Sequence, residues 1–359
     1  MIRASPKAEG FGEIIPIGQG AAREDGDTME RVLVTGAYGF LGRYVVREML
    51  DHGYSVVAFG RDAGKLESLR GDRVELVQGD FTIPGDIEKA TRDVDYVIHC
   101  GALLKGWGRR EDFMQVNVEG TRNVLRACEK HQVKRMVYTS APSAYATRDN
   151  LGITELDFNG DNRLNGYIES KILAEQLVRG QDAVPWAVIR PRGICGIGDE
   201  NMIPALIRAN ETIGIPLFQR GEVIVDLCCV ENVALALRLC MERDAALGQV
   251  YNITNGEPRR LRDLTDAMFP KLGLQPRYLK LPFVGIYGAS AVLESVFKLL
   301  HIYDTAPPVT RSNICMLGKS QVFDITKAKQ ELGYCPRVTL DEMIDAYARD
   351  YLARNGESG

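Results

Sequence analysis

The sequence predicts an α/β protein: a doubly wound parallel sheet with a smaller substrate-binding cap built from the C-terminal part. Three observations carry that expectation. Short, wholly apolar β-rich runs alternate with amphipathic helices from Arg31 onward. A glycine-rich turn, Gly36-Ala37-Tyr38-Gly39-Phe40-Leu41-Gly42, follows the first run and opens the first helix. After Pro191 the rhythm loosens, and 256–351 holds helices without regular β/α alternation. Apolar strands separated by helices mean a sheet covered on both faces, with right-handed crossovers.

In chain order, Val32–Thr35 reads as a strand and Phe40–His52 as a helix. Strands are expected at Ser55–Phe59, Val74–Val77, Tyr96–His99 and Arg135–Thr139. Between the last two, Phe113, Val116, Gly120, Val124 and Cys128 recur every three or four residues, the stripe of one helix. A helix from Asn165 to Arg179 leads into a strand at Trp186–Arg190. Beyond it come a helix at Asp199–Asn210, a strand at Glu222–Asp226, a helix at Glu231–Arg243 and the sheet's last strand at Val250–Thr254. The expected organisation is a cofactor domain at 29–195, completed by 226–255, and a cap from 196–225 and 256–355. Residues 1–28 carry charges and glycines without an apolar signal-peptide core and read as a disordered extension.

The 359 residues are 45% hydrophobic, ample for a buried core, which excludes a disordered chain. Forty-four basic residues against 48 acidic ones leave a net charge of −4, no footprint for nucleic acid. The eight cysteines show no C-x-x-C spacing and lie mostly in apolar runs, so free buried thiols in a reducing cytoplasm are expected, with no metal site. The longest apolar segment, Leu281–Leu293, has 13 residues, short of the ~17–25 that cross a bilayer. Glycine is in excess, 36 of 359, which suggests backbone that must approach a ligand.

In the glycine-rich turn, Gly36 permits the tight bend, Gly39 lets backbone amides approach a pyrophosphate and Gly42 lets helix pack on strand. Tyr38, Phe40 and Leu41, between them, are expected to contact the same bound cofactor. The G-x-x-G-x-x-G spacing resembles the extended short-chain dehydrogenase/reductases, whose fold is of the Rossmann type. That resemblance implies a nicotinamide cofactor. Where NAD enzymes of this kind carry an acidic residue on the ribose 2′-hydroxyl, this chain has Gly60, followed by Arg61 and, in the next helix, Lys65. Room and positive charge there suit a 2′-phosphate, hence NADP rather than NAD; a merely solvated Arg61 is the alternative. The resemblance also assigns cofactor contacts to Asp80 and Phe81, to Cys100, Gly101 and Ala102 after His99, and to Pro191 and Gly193. It matches Asn117-Val118-Glu119-Gly120-Thr121 to a family N-V-x-G-T helix, where Asn117 is structural or catalytic.

Tyr167 and Lys171 stand four apart, hence on one helix face. A nearby ammonium and the positive nicotinamide ring favour the phenolate of a tyrosine whose free pKa is ~10, so Tyr167 can exchange a proton with a carbonyl or alcohol. Lys171 also holds the ribose hydroxyls. The family adds a Ser or Thr that donates a hydrogen bond to the substrate oxygen, and this sequence has Ala141 in that position. Ser140 and Ser143 are the nearby hydroxyls; strand alternation aims Ser140 the other way. An engineered substitution, a natural variant using Ser140 or Ser143, and a protein that binds without much turnover all remain open.

Nucleotide-sugar epimerases and dehydratases share these motifs, but grip the diphosphate with an arginine in R-D-F-x-Y-V-x-D. Here Val225-Asp226-Leu227 occupies that stretch. Trp107, in Lys105-Gly106-Trp107-Gly108, and the apolar segment Phe283–Leu300 resemble instead the branch of 3β-hydroxysteroid dehydrogenases and 2-alkyl-3-oxoalkanoate reductases. The segment reads as core, as a hydrophobic lid or as a weak membrane-surface contact. The expected function is therefore an NADP-dependent ketoreductase of a hydrophobic or polyketide-like ketone or secondary alcohol. Trp107, Ala141 and Ser143 meet the substrate. A low-turnover cofactor-binding protein and a nucleotide-sugar epimerase are the alternatives. A homodimer through Ile168, Leu173, Met114 and Leu125 is expected if those residues are not core.

Overall fold

Seven parallel strands form the central sheet of the computed structural model, which describes residues 29–145 and 148–356. The expected extension, 1–28, lies outside the described residues. The strands are β1 Arg31–Thr35, β2 Ser55–Gly60, β3 Val74–Gln78, β4 Tyr96–His99, β5 Arg135–Thr139, β6 Trp186–Pro191 and β7 Gln249–Ile253. Their order across the sheet is β7-β6-β5-β4-β1-β2-β3. Chain order therefore reverses between β1 and β4, and such a switch point opens a crevice beyond the carboxyl ends of the strands.

The main helices are α1 Phe40–Asp51, α2 Gly120–Lys130, α3 Gly166–Arg179, α4 Val230–Glu242, α5 Phe283–Leu299, α6 Arg311–Gly318 and α7 Leu340–Gly356. Alternation within the strands feeds two cores. Val32 and Val34 pack on the side of α1 and α4, while Leu33 packs on the side of α2 and α3. Ile168 and Leu125 are buried within the chain, as core. A further core joins Ile203, Leu206, Phe218, Leu264, Phe269, Ile344 and Tyr347 from the region after β6.

Two features depart from the sequence pattern. The expected helix through Phe113 and Cys128 is broken into Arg110–Phe113, a π-helical turn at Met114–Glu119, and α2. The wider turn carries buried Asn117, whose Oδ1 accepts from the Leu103 N–H at 2.7 Å and whose Nδ2 donates to Ser170 Oγ at 2.9 Å. The other is α5, which inverts the usual arrangement. Its buried residues are Ser290 and Glu294, whereas Val284, Val292 and Leu299 are 83%, 66% and 79% exposed. Arg311 satisfies Glu294, donating from its backbone N–H at 2.6 Å and its Nε at 2.8 Å. No helix among the described residues is long and apolar enough to cross a membrane. All eight cysteines are free; six are buried, Cys100 is half-buried and Cys335 is exposed.

Candidate active site

The loop after β1 is shaped by close backbone packing. Gly36 has φ +67°, and a Cβ there would lie 2.9 Å from Gly101 Cα, so the loops following β1 and β4 touch. A Cβ on Gly42 would run into the Gly36 carbonyl. Gly39 is the N-cap of α1 and offers no side-chain cap, which leaves first-turn N–H groups for a ligand. This is a cradle that side chains would fill, and it fits a dinucleotide pyrophosphate.

Beside it, the Tyr38 ring occupies the space next to Gly60. Lys65 Nζ stands 5.8 Å from the centre of that ring. Arg61 is exposed, with Nη1 3.8 Å from Asp80 Oδ2. The other Asp80 oxygen accepts from the Thr82 N–H and hydroxyl, both at 2.9 Å. The ring of Phe81 packs against Gly101 and Gly120 and meets His99 edge-on, so it serves the scaffold.

His99, at the end of β4, is buried and held in one tautomer. The Thr121 hydroxyl donates to the Asn117 carbonyl at 2.7 Å, so it accepts the Nε2–H of His99 at 3.1 Å. Nδ1 then accepts from the Thr35 hydroxyl at 2.6 Å, and Thr35 Oγ1 accepts from the Gly101 N–H at 3.1 Å. Burial first, and Lys171 second, push the imidazole down to about 3. Cys100 lies 3.5 Å from the Thr139 hydroxyl, and burial pushes its thiol up to about 11. Ala102 is half-buried alongside.

Asn165 caps α3, accepting from the Ile168 N–H at 2.8 Å, and sets Tyr167 and Lys171 on its first turns. Lys171 is buried; its Nζ donates to the Thr139 carbonyl at 2.6 Å and sits 4.2 Å from the centre of the Tyr138 ring. Burial lowers its ammonium to about 7. Desolvation pushes the half-buried Tyr167 phenol up.

The expectation for Ser140 is corrected. Its hydroxyl turns inward and donates to Glu175 at 2.6 Å, in a buried cluster where Glu175 also binds Arg190. Ala141, half-buried, follows it at the end of β5. Ser143 lies in the 3-10 turn Pro142–Tyr145, and its side chain falls outside the described residues. Trp107 reaches the C-terminal part: its Nε1 donates to the Ile302 carbonyl at 3.0 Å and its ring stacks on Tyr303. Trp107, Phe113, Asn165, Glu294, Lys298 and Thr310 line a small cavity there. Pro191 ends β6, and Gly193 follows with φ +54° against Leu227.

Sequence reasoning missed the hydroxyls of Thr35 and Thr121, which fix the His99 ring.

A glycine cradle at the switch point of a parallel sheet, with Tyr-x-x-x-Lys on a neighbouring helix, defines an NAD(P)-dependent oxidoreductase. Residues 32–254 match the NAD dependent epimerase/dehydratase family, and the chain belongs to it, in the extended short-chain dehydrogenase/reductase branch. It is 30% identical over 329 residues to a 2-alkyl-3-oxoalkanoate reductase of Shewanella oneidensis, covering 88% of this chain and 84% of that one. A protein of that description from Stenotrophomonas maltophilia is 33% identical over 323 residues, covering 87% and 96%. The crystal structure of gox2253 superposes with a TM-score of 0.75 at 27% identity, covering 91% of this chain and 99% of the other.

Proposed function

We propose that this chain is an NADP-dependent ketoreductase acting on a ketone, or the matching secondary alcohol, of a hydrophobic molecule. The carrying observation is the placement of Tyr167 and Lys171 on the first turns of α3, at the carboxyl edge that also holds the glycine cradle. When bound, the cofactor supplies the hydride in reduction and accepts it in the reverse direction. Tyr167 donates its proton to the ketone oxygen, and Lys171, held by the Thr139 carbonyl and the Tyr138 ring, orients ribose hydroxyls and stabilises the resulting phenolate. Gly60, Arg61 and Lys65 leave room and charge for the 2′-phosphate of NADP.

An apolar substrate is supported by Val225, 7% exposed where nucleotide-sugar enzymes carry arginine, and by the outward apolar face of α5. That face, flanked by Lys280 and Lys298, gives a weak membrane-surface contact from which such a substrate can be drawn. Eight free thiols suit the reducing cytoplasm. The substrates named for the two relatives, 2-alkyl-3-oxoalkanoates, belong to the same chemical class.

The test is NADPH consumption over a panel of 3-oxo acids, β-keto esters and ketosteroids, with NADH in parallel. Turnover with at least one member and a preference for NADPH is expected. Silence across the panel, despite tight NADPH binding, overturns the proposal in favour of a low-turnover binding protein.

A further inference from the structure

His99 stands in the middle of a hydrogen-bonded chain that runs from the loop after β4 to the first turn of α3. Toward the glycine cradle, Nδ1 accepts from the Thr35 hydroxyl at 2.6 Å, and Thr35 Oγ1 accepts from the Gly101 N–H at 3.1 Å. Toward α3, the Nε2–H donates to Thr121 Oγ1 at 3.1 Å, and the Thr121 hydroxyl donates to the Asn117 carbonyl at 2.7 Å. The Asn117 side chain continues it: Nδ2 donates to Ser170 Oγ at 2.9 Å, and the Ser170 hydroxyl donates to the Tyr167 carbonyl at 2.8 Å.

Both ends of the chain are backbone groups, the Gly101 N–H beside the cradle and the carbonyl of Tyr167. Its five side chains, Thr35, His99, Asn117, Thr121 and Ser170, are all buried. Each hydroxyl proton is used once, so every link has a single direction. The π-helical turn makes the middle link. There the Gly120 N–H reaches back five residues to the Gln115 carbonyl, and the Thr121 hydroxyl takes up the Asn117 carbonyl. The imidazole also bears on Lys171: its ring centre lies 5.7 Å from that of Tyr138, which in turn is 4.2 Å from Lys171 Nζ.

Five buried polar side chains stabilise a fold little more than apolar ones of the same shape, since desolvation offsets most of each hydrogen bond. What they add is a relay that closes in one geometry. The quantity so fixed is the spacing between the loop that packs on Gly36 and the turn that carries Tyr167. Proton donation to a ketone at the cofactor depends on that spacing, because a misplacement of about 1 Å can cost ~10²-fold in rate.

We propose that His99 is a positioning residue: without touching substrate, it sets Tyr167 and Lys171 at their working distance from the nicotinamide cofactor. The assignment rests on the ketoreductase reading above and goes beyond it.

The experiment measures kcat, KM for the ketone and NADPH affinity in His99→Leu, which removes both hydrogen bonds, and in His99→Gln, which keeps one acceptor and one donor. His99→Leu should lower kcat on the order of 10- to 100-fold, with KM and NADPH affinity within about threefold of wild type. His99→Gln should recover most of that loss. An unchanged kcat, equal losses in the two variants, or a loss of NADPH affinity as large as the loss of kcat would each overturn the proposal.

Should His99→Leu not fold, a double-mutant cycle decides. Thr121→Val and Ser170→Ala break separate links of one chain, so the double variant should lose about as much kcat as the worse single one. Losses that multiply overturn the assignment.

If no ketone is reduced, the ketoreductase reading fails, and NMR of ring-labelled tyrosine decides the positioning. The Tyr167 signal, assigned by its absence in Tyr167→Phe, should shift when NADP is added to the wild type. In NADP-loaded His99→Leu (Thr121→Val where that chain does not fold) the shift should be lost. A shift of equal size in both chains, or none in the wild type, overturns the proposal.

Discussion

The Tyr38 ring lies where a side chain on Gly60 would have to go. That contact joins the phosphate loop to the end of β2, and Lys65 stands over the same ring. An aspartate at 60 would both displace the ring and bring negative charge beside Arg61. Gly60→Asp should therefore weaken NADPH binding by about tenfold or more while leaving NADH binding equal or tighter. Fluorescence titration of both cofactors checks this; unchanged NADPH affinity would remove Gly60 from the specificity argument.

Removing the Tyr167 hydroxyl leaves the helix and the cradle in place. Tyr167→Phe should lower kcat on the order of 10²- to 10⁴-fold, the usual contribution of a positioned proton donor, with little change in NADPH affinity. A fall in cofactor affinity with kcat preserved would instead make Tyr167 a binding residue.

Ser140 and Ala141 separate structure from chemistry within two adjacent residues. The Ser140 hydroxyl is engaged with Glu175, so Ser140→Ala should cost roughly 1–3 kcal/mol of stability, read by denaturant unfolding, and leave kcat near the parent value. Ala141→Ser restores the hydroxyl that relatives carry. A rate gain of about tenfold or more is expected, since one such donor is worth about 10²–10³ in well-formed sites. A variant no faster than the parent would sink the idea that a donor is missing.

His99 gives a pH signature. Its folded pKa of about 3 lies below the ordinary ~6.5, so below pH 6.5 the unfolded chain binds a proton that the folded chain refuses. Stability from this group is complete above pH 6.5 and is lost as the pH falls toward 3. Measured against His99→Gln, which cancels the buried carboxylates common to both chains, the wild type should lose about 2 kcal/mol between pH 6.5 and 5. A constant difference across that window would contradict the buried neutral imidazole.

What could be read from the sequence was what short spacings encode. Gly36, Gly39 and Gly42 define a turn by themselves, and Tyr167 and Lys171 share a helix face by arithmetic. The order of apolar runs likewise predicted the parallel sheet. Other features rest on partners that no local pattern brings together. Trp107 meets Ile302 across 195 positions, and Ser140 turns to Glu175 across 35. The π-helical turn escaped the pattern because apolar stripes at intervals of three and four look alike whether or not the turn around Asn117 is widened. The direction of the Lys171 ammonium, toward Thr139 rather than Tyr167, depends on the end of a strand 32 residues earlier.

The distribution of thiols has a practical consequence. Six are sealed in the interior, and burial keeps Cys100 protonated well above neutral pH, whereas Cys335 faces solvent. A maleimide dye should attach to Cys335 first, in the native chain with no cysteine removed. The adjacent Tyr334 hydroxyl donates to the Thr254 carbonyl just beyond β7 at 3.0 Å, so the dye would ride on a fixed point of the sheet. From there, changes in distance to a fluorescent cofactor or substrate can be followed with a single label.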